Sequence, residues 1–204
     1  MSTTAYMKNA RPAADNGARP RNASATRADL VAAARLLFSQ HAYEAVTVRR
    51  IAAKAGVNQA LISRYFGSKR ELFAAATEGL FLDRTWFEGD RKAFGAKLAA
   101  YIAAKKRSDD HVDPLLFLVR SVSHIEAAEI LRTAVDAQFI RPMAEWLGGQ
   151  RAFVRAGVIT SLIMGAAVLR QVIRSQSLAN SDREAVVASL AAALQQVIDD
   201  DGRG

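Results

Sequence analysis

The sequence predicts an all-α protein in which a short N-terminal three-helix unit precedes a larger helical domain. Three observations carry this. Apolar residues recur at helical spacing from about residue 26 almost to the end of the chain. No stretch alternates apolar and polar residues for long enough to make a strand. Short polar residues stand where helices begin, and glycine stands where several of them end.

Taken in order, residues 1–25 hold Pro12, Gly17 and Pro20 among polar and basic residues and show no apolar period, so they read as a disordered basic arm. Leu30, Ala33, Ala34, Leu37 and Phe38 line one face of a first helix. Val48, Ile51, Ala52 and Ala55 make a short second helix with Thr47 as N-cap. Gly56 supplies the turn, because it takes a left-handed backbone without a Cβ clash. Asn58 caps a third helix that ends near Phe66 and Gly67, and Ser68 with Glu71 forms a capping box that opens a fourth.

Beyond it, Phe94, Leu98, Tyr101 and Ile102 mark one helix, and Asp113 followed by Pro114 opens another. Residues 125–147 read as one long helix bent at Pro142 and closed by Gly148 and Gly149. Residues 150–174 form a helix apolar nearly all round, which places it in contact on more than one side. Ser181 and Glu184 form a second capping box, followed by a stripe of Val187, Leu190, Leu194, Val197 and Ile198. The expected division is an arm over 1–25, a first domain over 26–72 and a second over 73–204.

Composition removes several kinds of chemistry. The 204 residues include no cysteine, so disulfides and thiolate sites are absent. His41, His111 and His124 are too scattered for a zinc pair, and no nucleophile with a base, carboxylate pair or phosphate-binding glycine loop is evident. An enzyme, a metal site and a cofactor are therefore not expected. No apolar signal segment stands near the start, and the apolar run 158–169 is shorter than the roughly 20 residues that span a bilayer. A soluble cytoplasmic protein without membrane contact is expected.

Charge is more telling. The net +8 is made up of +3 in residues 1–25 and +5 in residues 26–69, while residues 70–204 are neutral. Such segregation fits a polyanion partner, nucleic acid above all. At 100° per residue, the third helix turns Leu61, Ile62 and Phe66 to one side, with Asn58 and Tyr65 at the edge. Ala60, Ser63 and Arg64 face the other way, with Gln59 on the flank. Small, hydrogen-bonding and basic side chains on an exposed short helix, reached through a glycine turn, make a helix-turn-helix DNA-binding domain.

The stretch "TRADLVAAARLLFSQHAYEAVTVRRIAAKAGVNQALISRYFGSKRELF", residues 26–73, resembles the N-terminal domain of the tetracycline-repressor (TetR) family. Ala34 with Phe38, Glu44 to Val48, Ile51-Ala52 before Ala55-Gly56-Val57, and Tyr65 to Lys69 with Leu72 carry the likeness. Leu162, Gly165 and Leu169 to Ile173, with Leu178, look like the final helices of one subgroup. The resemblance implies a dimeric bacterial repressor, nucleoid-associated, that binds a double-stranded operator and leaves it when a small molecule enters the C-terminal domain. It also implies phosphate contacts from Thr47 and Lys69, base contacts from Arg49 and Gln59, and a backbone contact from Tyr65. Ser63 departs from the family, which commonly has tyrosine there, and Arg64 is the candidate to compensate. Thr47 and Asn58 serve as caps with or without DNA, Tyr65 also reads as core, and Arg50 and Lys54 read as solvated charges.

In the second domain, Phe117, Arg120, His124, Phe139, Met143 and Met164 are candidates for an effector pocket of apolar or amphipathic taste. Val158, Leu162, Gly165 and Leu169, with Val187, Leu190, Leu194 and Val197, are candidates for a homodimer interface built as a four-helix bundle. The alternative is a constitutive or architectural DNA binder whose C-terminal half only dimerises. Removing the basic arm is expected to weaken DNA binding most visibly at low salt and to leave the fold intact; a binding titration repeated across salt concentrations checks this.

Overall fold

A computed structural model of the chain describes residues 23–81, 84–104, 112–179 and 182–200. The first four helices are α1 Ala23–Gln40, α2 Val48–Ala55, α3 Ala60–Phe66 and α4 Lys69–Thr77. Their starts follow from local chemistry. Thr47 Oγ1 accepts from the Arg50 amide at 3.2 Å, and Ser68 Oγ accepts from the Glu71 amide at 3.2 Å, each satisfying a donor that a helix start leaves unpaired. Asn58 Oδ1 accepts from the Ala60 amide at 2.8 Å. Gly56 ends α2 at φ 65°, the left-handed conformation that lets the chain turn at once into α3.

The remaining helices are α5 Phe94–Ala104, α6 Pro114–Ser121, α7 Ile125–Val135, α8 Arg141–Leu147, α9 Ala152–Ala167, α10 Gln176–Ala179 and α11 Arg183–Asp199. No strand forms among the described residues. Asp113 caps α6 and Asp182 caps α11, while the expected cap Ser181 lies outside the described residues, as does the arm up to residue 22. Residues 23–25 of the expected arm are helical.

The long helix expected over 125–147 is interrupted by a π turn at Asp136–Ile140, where the Arg141 amide bonds five residues back to the Asp136 carbonyl. Pro142 explains it. A proline has no amide to donate, and its ring collides with the carbonyl four residues before it, so the helix widens just ahead. A second π turn, Val168–Ile173, extends α9, and Arg174 stops it at φ 56°.

Two cores result. In the first, α1 packs on α2, α4 and α6, and Phe38, Phe73 and Phe117 are fully buried together. The ring centroids of Phe38 and Phe73 lie 4.8 Å apart, edge to face, and those of Phe73 and Phe117 lie 5.0 Å apart, stacked. Since Phe117 belongs to α6, this core crosses the boundary expected at residues 72–73. The second core joins α5, α8, α9 and α11 through Leu98, Met143, Ile159, Leu194 and Ile198.

That second core corrects the sequence reading of α11. Leu194 is 0% exposed inside its own subunit, and Val187, Leu190 and Val197 pack against the same core. Leu194 therefore faces the core of its own subunit, while Val187, Leu190 and Val197 rest on the edge of that core and stay partly exposed. Gly95 sets the closeness of α5 to α11. Its amide donates to Gln195 Oε1 at 3.0 Å, and a Cβ there would stand 2.8 Å from the Ala191 carbonyl. Arginines close the helix ends: Arg91 donates to the Leu147 and Ile198 carbonyls at 2.8 and 2.9 Å, and buried Arg155 donates to those of Ile198, Asp200 and Gly148.

The segment Ala152–Ile173 is long and apolar enough by composition to cross a bilayer, contrary to the shorter run expected from sequence. Its arginines argue for a packed helix, because Arg155 grips α8 and α11 while Arg170 donates to the Ala103 and Leu178 carbonyls at 2.8 and 2.9 Å. Gly95→Ala is expected to cost about 1–3 kcal/mol by overpacking α5 against α11, read as a lowered urea midpoint with an unchanged slope.

Candidate nucleic-acid interface and cavity

The turn between α2 and α3 leaves one face of α3 free. Ile62 and Phe66 are buried, Leu61 and Tyr65 pack half-buried against the first core, and Asn58, Gln59, Ala60, Ser63 and Arg64 are exposed. Thr47 and Arg49, at the start of α2, are exposed as well. The exposed set is the one the helical wheel separates. Ala60 contributes no bulk, so a flat or grooved surface can approach the α3 backbone there.

Lys69 is held more tightly than expected. Its Nζ donates to the Tyr43 carbonyl at 2.6 Å and lies 4.0 Å from the centroid of the Tyr43 ring. Burial pushes its pKa down, against the pull of Glu44 and Glu126. An ammonium has three donors, so this placement leaves Lys69 fixed at the start of α4 with capacity to spare. Tyr43 in turn lies against the His124 ring, 4.5 Å between centroids, at the start of α7. Arg50 is not simply solvated: it donates to the Ala45 carbonyl at 2.8 Å and ties the turn Tyr43–Ala45 to α2.

Arg27 went unnoticed in the sequence. Its guanidinium lies 4.9 Å from the centroid of Phe66, which places a cation at the end of α3, one turn from the residue where the arm joins α1. Nothing in the spacing of Arg27 and Phe66 signals that contact, since it depends on how α1 crosses α3.

A cavity of about 320 Å³ lies in the second domain. Leu98, Tyr101 and Ile102 of α5, Leu115 and Leu118 of α6, Ile163 and Met164 of α9, and Phe139 and Gln171 of the two π turns line it, with Trp86 at one side. Phe139 and Met164 are thus among its lining residues. Phe117 and Met143 are not: each is 0% exposed inside a core, because the largest apolar side chains fill interiors before they line voids. Arg120 and His124 do not line the cavity either; His124 is engaged by Tyr43.

Along α9 and its π turn, Val158, Leu169, Val172 and Ile173 are exposed, as are Phe153 and Val154 at its start. Gly165 is exposed with open space around it, while Leu162 packs partly on the second core. The outward side of α11 carries small residues, Ala185, Ala188, Ser189 and Ala192. Isolated exposed apolar residues are ordinary, but a continuous row on one helix is not.

Residues 30–76 match the family described as bacterial regulatory proteins, tetR family, and residues 93–198 match the tetracyclin repressor-like C-terminal domain. The chain belongs to the TetR family. Over 63 residues it is 41% identical to the HTH-type transcriptional repressor SCO4008 of Streptomyces coelicolor, a match covering 31% of this chain and 33% of that relative. The chain thus spans about a third of the length of that curated relative. Solved structures share the fold. A TetR-family regulator of Streptomyces coelicolor, SCO0857, superposes with a TM-score of 0.54 at 23% identity, covering 89% of this chain and 99% of that one. NalD of Pseudomonas aeruginosa, described as the secondary repressor of the MexAB-OprM multidrug efflux pump, superposes with a TM-score of 0.61 at 16% identity, covering 85% and 95%. The matched family is one of bacterial regulatory proteins, as the sequence predicts.

Thr47→Ala is expected to lower stability by about 1 kcal/mol through the lost cap, whereas Ser63→Ala stays within about 0.5 kcal/mol; thermal unfolding of the two variants side by side checks this.

Proposed function

We propose that this TetR-family protein is a dimeric, sequence-specific repressor that grips a DNA operator through α3 and releases it when a small molecule fills the cavity. The observation that carries the reading is the exposed face of α3, where Gln59, Ala60, Ser63 and Arg64 stand clear of a core that holds the rest of the helix. In the major groove, Gln59 and Arg49 read base edges, Ser63 adds a hydrogen bond, and Arg64 adds charge. Thr47, Asn58, Tyr65 and Lys69 border the phosphates and fix the register. The protein acts in the bacterial cytoplasm, at the nucleoid.

One such helix makes few base contacts, so two copies on a pseudo-palindrome, about 34–36 Å apart, supply specificity. The partner lies along the exposed row of Val154, Val158, Gly165, Leu169 and Val172 on α9 and its π turn, with the small residues of α11 beside it. Four helices then bury what a single subunit leaves wet.

The cavity favours an effector over a C-terminal half that only dimerises. Helix α6 presents Leu115 and Leu118 to the cavity and Phe117 to the core shared with α1 and α4. A ligand that displaces α6 therefore moves the helix-turn-helix. At the corner after α6, Ser121 Oγ and His124 Nδ1 are buried without hydrogen-bond partners, a cost that a rearranged corner could relieve.

Selection of bound sequences from random DNA, followed by anisotropy titration of the selected site, tests the reading; no preference over random DNA refutes it. Gln59→Ala is expected to relax discrimination at one base position at a cost of about 1–3 kcal/mol, whereas Lys69→Ala weakens all sequences and lowers the salt slope by about one. In sedimentation at micromolar concentration, Val158→Arg and Leu169→Arg are expected to give folded monomers. Leu194→Arg is expected to unfold the subunit instead, since it buries a charge without a partner.

A further inference from the structure

We propose that the cavity takes a neutral, mainly apolar molecule bearing a hydroxyl or carboxamide, and that Gln171 selects it. This rests on the reading of the cavity as the effector site. Gln171 is 8% exposed, it lines the cavity, and its Oε1 is buried without a hydrogen-bond partner. Native interiors rarely leave such an atom unpaired, because it loses water and gains nothing in return. The nearby Thr160 needs no ligand, since its hydroxyl donates to the Ala156 carbonyl at 2.7 Å within its own helix.

Geometry sets where the polar end of the ligand lies. Thr160, Ile163, Met164, Ala167 and Gln171 follow one another at helical spacing along the wall, so an apolar stripe ends on the amide. A ligand laid along the stripe places its hydrogen-bonding group at that end. The oxygen and nitrogen of a carboxamide exchange places by a half-turn of the side chain, and a hydroxyl or second carboxamide, which both donates and accepts, satisfies either. Among the described lining residues none carries a formal charge, so an ion would enter without a counter-ion and be rejected.

The test uses the full chain and the quenching of tryptophan fluorescence, with Trp86 on the cavity wall as reporter. The probes are n-octane, 1-octanol, octanoate and octylammonium. Wild type is expected to bind 1-octanol at least about tenfold more tightly than either charged probe. In Gln171→Leu the ratio of 1-octanol to n-octane affinity is expected to fall about three- to tenfold. Gln171→Glu, which keeps the size and shape, is expected to shift preference toward octylammonium and guards against a misfolded leucine variant. An unchanged ratio in Gln171→Leu with no shift in Gln171→Glu, or a charged probe bound as tightly as 1-octanol, overturns the inference and leaves the cavity reading in place. Failure of every probe to bind wild type overturns the cavity reading itself, and the inference with it.

Discussion

Phe38 from α1, Phe73 from α4 and Phe117 from α6 are each 0% exposed, with every pair of ring centroids within 5.8 Å, so the helix-turn-helix and the second domain share one block of aromatic core. Truncating one such ring in a core costs about 3–5 kcal/mol, a large part of the 5–15 kcal/mol that holds a typical domain folded. The two halves are therefore joined through one core. Because Leu115 and Leu118 of the same α6 border the cavity, in the proposed mechanism ligand and DNA act on the position of a single helix. A ligand shifts that position only by its difference in affinity between the two arrangements, so it must fit the cavity better when α6 has moved.

Charge does two jobs in this chain. Arg35 donates to the carbonyls of Ala76 and Glu78 at the end of α4, Arg50 holds Ala45, and Arg91, Arg155 and Arg170 close the ends of other helices. Each guanidinium satisfies carbonyls that a helix end leaves bare and lies favourably against its dipole. The excess charge counted in the first third of the sequence is thus partly structural. Among the described residues of that third, Arg27, Arg49, Lys54 and Arg64 are exposed and remain for a polyanion, beside the half-buried Lys69.

Local features were legible because their causes are local. Thr47, Gly56, Asn58, Ser68 and Asp113 each act within a few residues of themselves, and each stands where the sequence put it. The outward face of α3 was legible for the same reason, since helical periodicity alone separates Ile62 and Phe66 from Ser63 and Arg64. Periodicity says that a face is covered and not by what, so it places Leu194 on a covered stripe without showing that its cover is the core of its own subunit. The aromatic content of the second domain pointed to a pocket, yet Phe117 and Met143 went to the cores. The widening ahead of Pro142 has a local cause too, and the sequence placed a bend there, whereas Gly95 and Gln171 depend on contacts between distant segments, for which a single sequence gives no spacing rule.

The helix α9 has two distinct sides. Thr160, Ile163, Met164 and Ala167 border the cavity, while Val154, Val158 and Gly165 lie on the exposed side. A helix with its side chains is about 10–12 Å across. In the proposed dimer, a ligand in one subunit is thus separated from the neighbouring subunit by little more than the thickness of one helix. Any tilt of α9 that accommodates the first ligand reshapes the surface on which the neighbour's α9 rests. The two cavities are then thermodynamically linked, and occupancy of one alters the affinity of the other.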